Sequence, residues 1–160
     1  MSVALDQKSE RYMSRDFWRT TSKITAKVPS KLIHRDVAGN RDAGSQQFTD
    51  ERNHPVNIVD LPALTMSMTL GGLLPGQLTT RHRHSYETVL YVIEGAGTTW
   101  IEGEAIEWKK GDALYIPVWA WHQHRNASET EQALYIACEN APLLQNLGGL
   151  ALREEQGRDF

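Results

Sequence analysis

Residues 76–97 read GQLTTRHRHSYETVLYVIEGAG and residues 111–126 read GDALYIPVWAWHQHRN. Both are short runs rich in Val, Ile, Thr, Tyr and Trp, bounded by Gly or Pro, which is the texture of antiparallel strands joined by tight turns. The same texture starts at Leu64 and predicts strands at residues 64–70, 77–83, 88–93, 97–101, 104–108, 113–116, 121–126 and 132–137. Turns are expected at Leu74-Pro75-Gly76, Glu94-Gly95, Glu102-Gly103 and Lys109-Lys110-Gly111-Asp112. No helix-period segment separates these strands, so the crossover helices that a parallel sheet needs are missing. An all-β double-sheet jelly roll or small barrel follows.

On either side the signal weakens. Residues 1–60 are rich in Lys, Arg, Asp, Ser, Gln and Asn and form an N-terminal arm expected to pack on the barrel or on a neighbouring subunit. One short helix at residues 16–22 and a strand around Ile33 are its predicted elements. The barrel is expected over 61–152 and a C-terminal tail over 153–160, with Ala141-Pro142-Leu143-Leu144-Gln145-Asn146-Leu147 a short helix stopped by Gly148-Gly149.

The chain has 160 residues, 40% hydrophobic and 23% charged, as expected of one globular domain. Its formal net charge of −3 offers no broad positive field for phosphate backbones, which argues against nucleic acid as a partner. The single cysteine, Cys138, has no disulfide partner within the chain and reads as a small buried hydrophobe. With no apolar leader and no run long enough to span a bilayer, a cytoplasmic protein without membrane contact is expected.

Four of the six histidines fall in two pairs, His82-Arg83-His84 and His122-Gln123-His124. Residues at i and i+2 of a strand share a face, so one pair can set two imidazoles on one ion. His122 is expected to supply a third from a neighbouring strand. Three neutral imidazoles suit Fe(II), Zn, Cu or Ni and leave open coordination positions. His34 and His54 read as ordinary residues. His124 reads either as a holder of substrate or water, or as a hydrogen-bonded barrel residue.

These two stretches resemble the two motifs of the cupin superfamily. In the first, Gly76, His82, His84 and Gly95 stand at the family spacing; in the second, Gly111, Pro117, His122 and Asn126 do, with Trp119 where the family has glycine. The resemblance implies a cupin barrel (a double-stranded β-helix, or jelly roll) with an N-terminal arm and a short C-terminal helix, and His82, His84 and His122 as metal ligands. The family glutamate, a usual fourth ligand, falls on Thr88, with Glu87 one place early. Strand parity turns Thr88 toward the histidines and Glu87 away, unless a bulge near Ser85-Tyr86 shifts the register. A three-histidine site is therefore expected, with the Thr88 hydroxyl free to bond a water or substrate.

Loss of that glutamate, together with Pro117, Trp119, Trp121, His122, His124, Asn126 and the segment 141–148, is similar to gentisate 1,2-dioxygenase and related ring-cleaving cupins. The similarity implies Fe(II), a small hydroxylated aromatic substrate that chelates it beside dioxygen, and ring opening by insertion of both oxygen atoms. His124, Thr88 and Gln123 are the candidate catalytic residues around the metal. Those enzymes usually carry two cupin domains in a longer chain. The alternatives are a non-redox isomerase or lyase using Zn, Ni or Mn as a Lewis acid, and a non-catalytic small-ligand-binding cupin or oxygenase subunit.

Arg81 and Arg83 alternate with the ligand pair and are expected to face away from the metal, solvated or at an interface. Trp100, Trp108, Trp119 and Trp121 read as core or oligomer contacts, and Trp119 as the one to watch for substrate contact. Gly95 and Gly111 read as turn residues, Asn126 as a sheet-end polar residue. The arm suggests a homodimer or higher closed homo-oligomer.

Overall fold

The computed structural model describes residues 28–39 and 43–156. The chain divides into a unit of residues 1–30, of which 28–30 are described, and a unit of residues 31–160 that holds every element below. The predicted helix at 16–22 lies outside the described residues.

The second unit runs α1 (Ala43–Arg52), β1 (Val56–Ile58), β2 (Ser67–Leu73), β3 (His82–His84), β4 (Thr88–Glu94), β5 (Ala96–Ile101), β6 (Glu104–Lys109), β7 (Ala113–Ile116), β8 (His122–Asn126), β9 (Ala133–Glu139), α2 (Ala141–Asn146) and β10 (Arg153–Glu155). The strands form two five-stranded sheets, ordered β1-β2-β9-β4-β7 and β10-β3-β8-β5-β6, with every pairing antiparallel. Successive strands switch between the sheets at β2 to β3, β3 to β4 and β4 to β5, which wraps the chain into a jelly roll. Among the described residues no helix is long and apolar enough to cross a membrane.

Strand alternation fills the inside. Leu90 and Val92 of β4, Leu114 and Ile116 of β7, Ala133 and Ala137 of β9, Leu73 of β2 and Trp108 of β6 form the buried cluster. Asn126 is fully buried at the end of β8, where its Nδ2 donates to the carbonyls of Leu73, Leu74 and Glu131 and its Oδ1 accepts from Ser128 N–H. Gly95 takes φ +84°, and a Cβ there would press on the Ala133 backbone, so the turn expected at Glu94-Gly95 needs glycine.

Several expectations need correcting. Ile33 is not in a strand: Leu32 and Ile33 are 67% and 55% exposed, with no paired strand beside them. The strand expected at 77–83 is regular only at β3, and Leu78 merely bridges to Arg125. Cys138 is half-buried rather than buried, because alternation turns its neighbours Ala137 and Glu139 inward and Cys138 to the outer face, opposite Met68 and Val89. Helix α1 escaped the sequence because its residues carry no apolar stripe. It is held by Gln46 and Gln47 amides bonding Asp50 and Glu51 one turn on, and by the buried Ser45 hydroxyl accepting from Ile58 N–H. β1 and β10, on either side of 61–152, add an outer strand to each sheet.

The outer face of β3 and β8 is polar and aromatic. Arg83 lies 4.6 Å over both the Trp119 and the Trp121 rings and pairs with Glu154 of β10 at 2.7 Å, while Arg81 lies 5.4 Å over Trp121. Both arginines face away from the histidines. Trp119, where the cupin motif has glycine, takes φ +63°, a conformation costly for a bulky residue, and its N–H donates to the His84 carbonyl at 2.7 Å.

Candidate metal centre

The pairing of β3 with β8 sets His82 directly opposite His122, with ring centroids 4.1 Å apart. His84 follows on the same face of β3, 4.8 Å from His122 by ring centroid. All three are buried, and one ligand nitrogen of each lies within 4.8 Å of the others. Their second nitrogens are committed in the same way: His82 Nδ1 to the Thr80 carbonyl, His84 Nδ1 to the Tyr86 carbonyl and His122 Nδ1 to the Ala120 carbonyl, each at 2.8 Å. A carbonyl oxygen only accepts, so each Nδ1 carries the proton and each Nε2 keeps its lone pair. That is the tautomer a cation requires, and the carbonyls also fix the ring planes.

Electrostatics act in the same direction. Burial, with the neighbouring His122 adding, pushes His84 down to about 3; burial pushes His122 down to about 4 and His82 well below the usual imidazole range. The three rings are neutral at physiological pH, so a cation displaces no proton from them.

The other candidate residues take different places. Thr88 is buried, lines the cavity and bonds its hydroxyl to Glu139 Oε1 at 3.3 Å. Glu87 is exposed and accepts from the Tyr115 hydroxyl at 2.9 Å, so no bulge brings its carboxylate inward. His124 lines the cavity beyond the trio, its ring centroid 5.6 Å from that of His122. Gln123 is turned away: its amide donates to the Thr79 carbonyl at 2.7 Å, and it is absent from the cavity wall because its neighbours His122 and His124 occupy the inward positions of β8.

Sequence reasoning missed five titratable residues of the cavity wall. Arg52 ends α1, His54 follows it, Tyr135 and Glu139 sit on β9, and Arg153 opens β10. His54, read as ordinary, is buried beside the trio, with its own pKa pushed down to about 4 by burial and then by Arg52. Glu139 is the one carboxylate on the cavity wall among the described residues; burial raises its pKa against the pull of Arg52 and Arg153. Tyr135, raised to about 12 by burial, occupies space left by Gly71, where a Cβ would strike its ring. The alternation Ala133, Tyr135, Ala137, Glu139 along β9 was the available signal for two of the five.

The cavity thus combines a neutral nitrogen trio with the guanidinium groups of Arg52 and Arg153. Three imidazole nitrogens without a carboxylate among them suit a divalent ion of borderline softness and leave part of its coordination sphere to water or ligand.

Comparison with known proteins agrees with this geometry. Residues 70–138 match the family described as cupin domain. The chain is 38% identical over 88 residues to 5-aminosalicylate 1,2-dioxygenase of Comamonas sp., covering 55% of this chain and 22% of that protein. It is 34% identical over 97 residues to gentisate 1,2 dioxygenase 1 of Aquipseudomonas alcaligenes, covering 55% of this chain and 28% of that protein. Among solved structures, salicylate 1,2-dioxygenase from Pseudoaminobacter salicylatoxidans with gentisate superposes with a TM-score of 0.61 at 23% identity, over 72% of this chain and 34% of that one, a likeness of fold. The chain thus spans about a quarter of the length of the two curated relatives, 22% and 28%.

Proposed function

Because residues 70–138 form a cupin domain related in sequence to ring-cleaving dioxygenases, we propose that this chain is a non-haem Fe(II) dioxygenase acting on a small hydroxylated aromatic acid. His82, His84 and His122 hold the iron. The observation that carries the reading is the set of three Nε2 lone pairs fixed by three backbone carbonyls, with neutral Thr88 where a fourth, anionic ligand would stand. Iron held by these three residues would supply the redox chemistry that lets dioxygen react with the ring, and the absence of a fourth protein ligand would leave room beside it for the substrate.

The chain's own residues do the rest. Arg52 and Arg153 attract and orient the acid group. Glu139, with its raised pKa, is positioned to accept the phenolic proton as the hydroxyl approaches the metal. Buried His124 and half-buried Tyr135 border the reacting space and exclude water from it. The outer face of the first sheet carries Met68, Cys138, Val89 and Tyr115 in one cross-strand row, a partly apolar surface that supports a homo-oligomer.

Anaerobic loading with Fe(II), followed by oxygen uptake over gentisate, salicylate and 5-aminosalicylate, tests the reading. One dioxygen is expected per substrate consumed, with none for the zinc-loaded protein. Equal activity with zinc, or no uptake with any chelating phenol, would overturn it.

A further inference from the structure

We propose that the aromatic body of the substrate is held beyond the metal cavity, in a chamber that α1, α2 and β10 form with β1, β2 and β9, with its acid group turned to Arg52 and Arg153. The identity of the ligand as a hydroxylated aromatic acid rests on the dioxygenase reading; its location does not.

Volume decides where a ring can lie. The cavity around the three histidines holds about 50 Å³. A cavity of ~150 Å³ is what accommodates benzene. A ring therefore does not fit beside the metal, which has space for a chelating edge and little more. Deeper in the barrel the way is closed, since Leu90, Val92, Trp108 and Leu114 leave a crevice of only about 10 Å³ next to His124.

One adjoining space is large enough. A chamber of about 440 Å³ shares Arg52, Val56, Thr69, Glu139 and Arg153 with the metal cavity, so the two adjoin along those five side chains. Its remaining lining is mainly apolar, with Phe48 from α1, Ile58 from β1, Ala141 and Pro142 from α2, and Ala151 just before β10. At nearly three times the benzene cavity it admits a two-ring acid as well as a single ring.

Charge fixes the orientation. Arg153 is held by Glu155 at 3.0 Å, whereas Arg52 has no salt bridge among the described residues and stacks 4.5 Å over the Phe48 ring. Arg52 thus stands on the wall common to both spaces, one face of its guanidinium on Phe48, where its charge can meet an incoming carboxylate. Phe48, Ile58, Ala141, Pro142 and Ala151 all lie outside the cupin match at 70–138, so the segments that flank the domain choose the substrate while the domain holds the metal.

Calorimetry on the full chain loaded with zinc, which is redox-inert, tests this without turnover. The probes are salicylate, 1-hydroxy-2-naphthoate and azide, and the variants are Ala151→Trp and Ala141→Leu, on different elements. The wild type is expected to bind the naphthoate about tenfold tighter than salicylate, the order given by burying a further ~50 Å² of apolar surface. Both substitutions are expected to weaken the naphthoate tenfold or more and to leave azide, which needs only the metal cavity, within twofold. Azide binding also shows which variant is folded, so one misfolded protein leaves the other to decide. The proposal is overturned if neither acid binds, if the naphthoate binds no tighter than salicylate, or if a folded variant binds it as the wild type does. The expected binding pattern without oxygen uptake by the iron-loaded protein would overturn the dioxygenase reading and leave the chamber standing.

Discussion

The two histidine pairs have the same spacing and different fates. His82, His84 and His122 each give Nδ1–H to a carbonyl, whereas His124 Nδ1 meets the Thr99 hydroxyl at 2.8 Å. That hydroxyl is fully buried and already accepts the Trp108 indole N–H at 2.9 Å, and among the described residues His124 Nδ1 is the one acceptor within reach of its own proton. The ring of His124 is therefore the Nε2–H tautomer, a donor toward the cavity rather than a ligand. Strand parity decides which face an imidazole occupies; the atom behind the ring decides whether it offers a lone pair or a proton.

The sharpest way to break this contrast is substitution at both ends of one pair. His122→Ala is expected to abolish stoichiometric metal, while His124→Ala keeps it, as read by elemental analysis after gel filtration. Equal metal loss in both variants would erase the distinction.

Acid titration of the metal-free protein gives the next effect in size. His54, His84 and His122 have folded pKa values of about 4, 3 and 4 against an unfolded value near 6.5, so below pH 6.5 the unfolded chain binds more protons than the folded one. Stability is expected to be level above about pH 7, and to decline as pH falls from 6.5 through 4 toward 3. Glu139, whose carboxyl is raised, has the opposite sign. Denaturant melts at pH 7, 6 and 5 read the slope above most carboxylate titrations; a midpoint unchanged across that range contradicts the neutral, buried trio.

Thr99→Val sharpens the contrast with the smallest change. It leaves the Trp108 N–H and His124 Nδ1 without their shared partner, a cost of ~1–3 kcal/mol in a urea melt. Metal content is expected to hold, and Thr99→Ser to restore stability. Loss of metal in Thr99→Val would mean that His124 belongs with the ligands after all.

Much of the site was legible because it obeys a period of two. His82, His84 and His122, the inward turn of Thr88 and the outward turn of Glu87, Arg81 and Arg83 all follow from alternation along short strands. The same reasoning placed Gln123 among the candidates only by adjacency, against its own parity. Arg52, Arg153 and Glu139 were illegible for another reason. Ala-Gly-Ser-Gln-Gln-Phe-Thr-Asp-Glu-Arg has no apolar stripe to mark α1, and Arg-Glu-Glu becomes a strand only because β3 pairs with it. Elements fixed by tertiary pairing leave little trace in local pattern.

The ladder between β3 and β8 consists of a single residue pair, His82 with His122, and β10 is attached to the sheet only through β3. An ion gripped by rings from both strands would rivet that narrow seam. Metal binding and the local opening of this corner would then be one linked process: the ion-free chain would hold a larger population with the seam between β3 and β8 ajar.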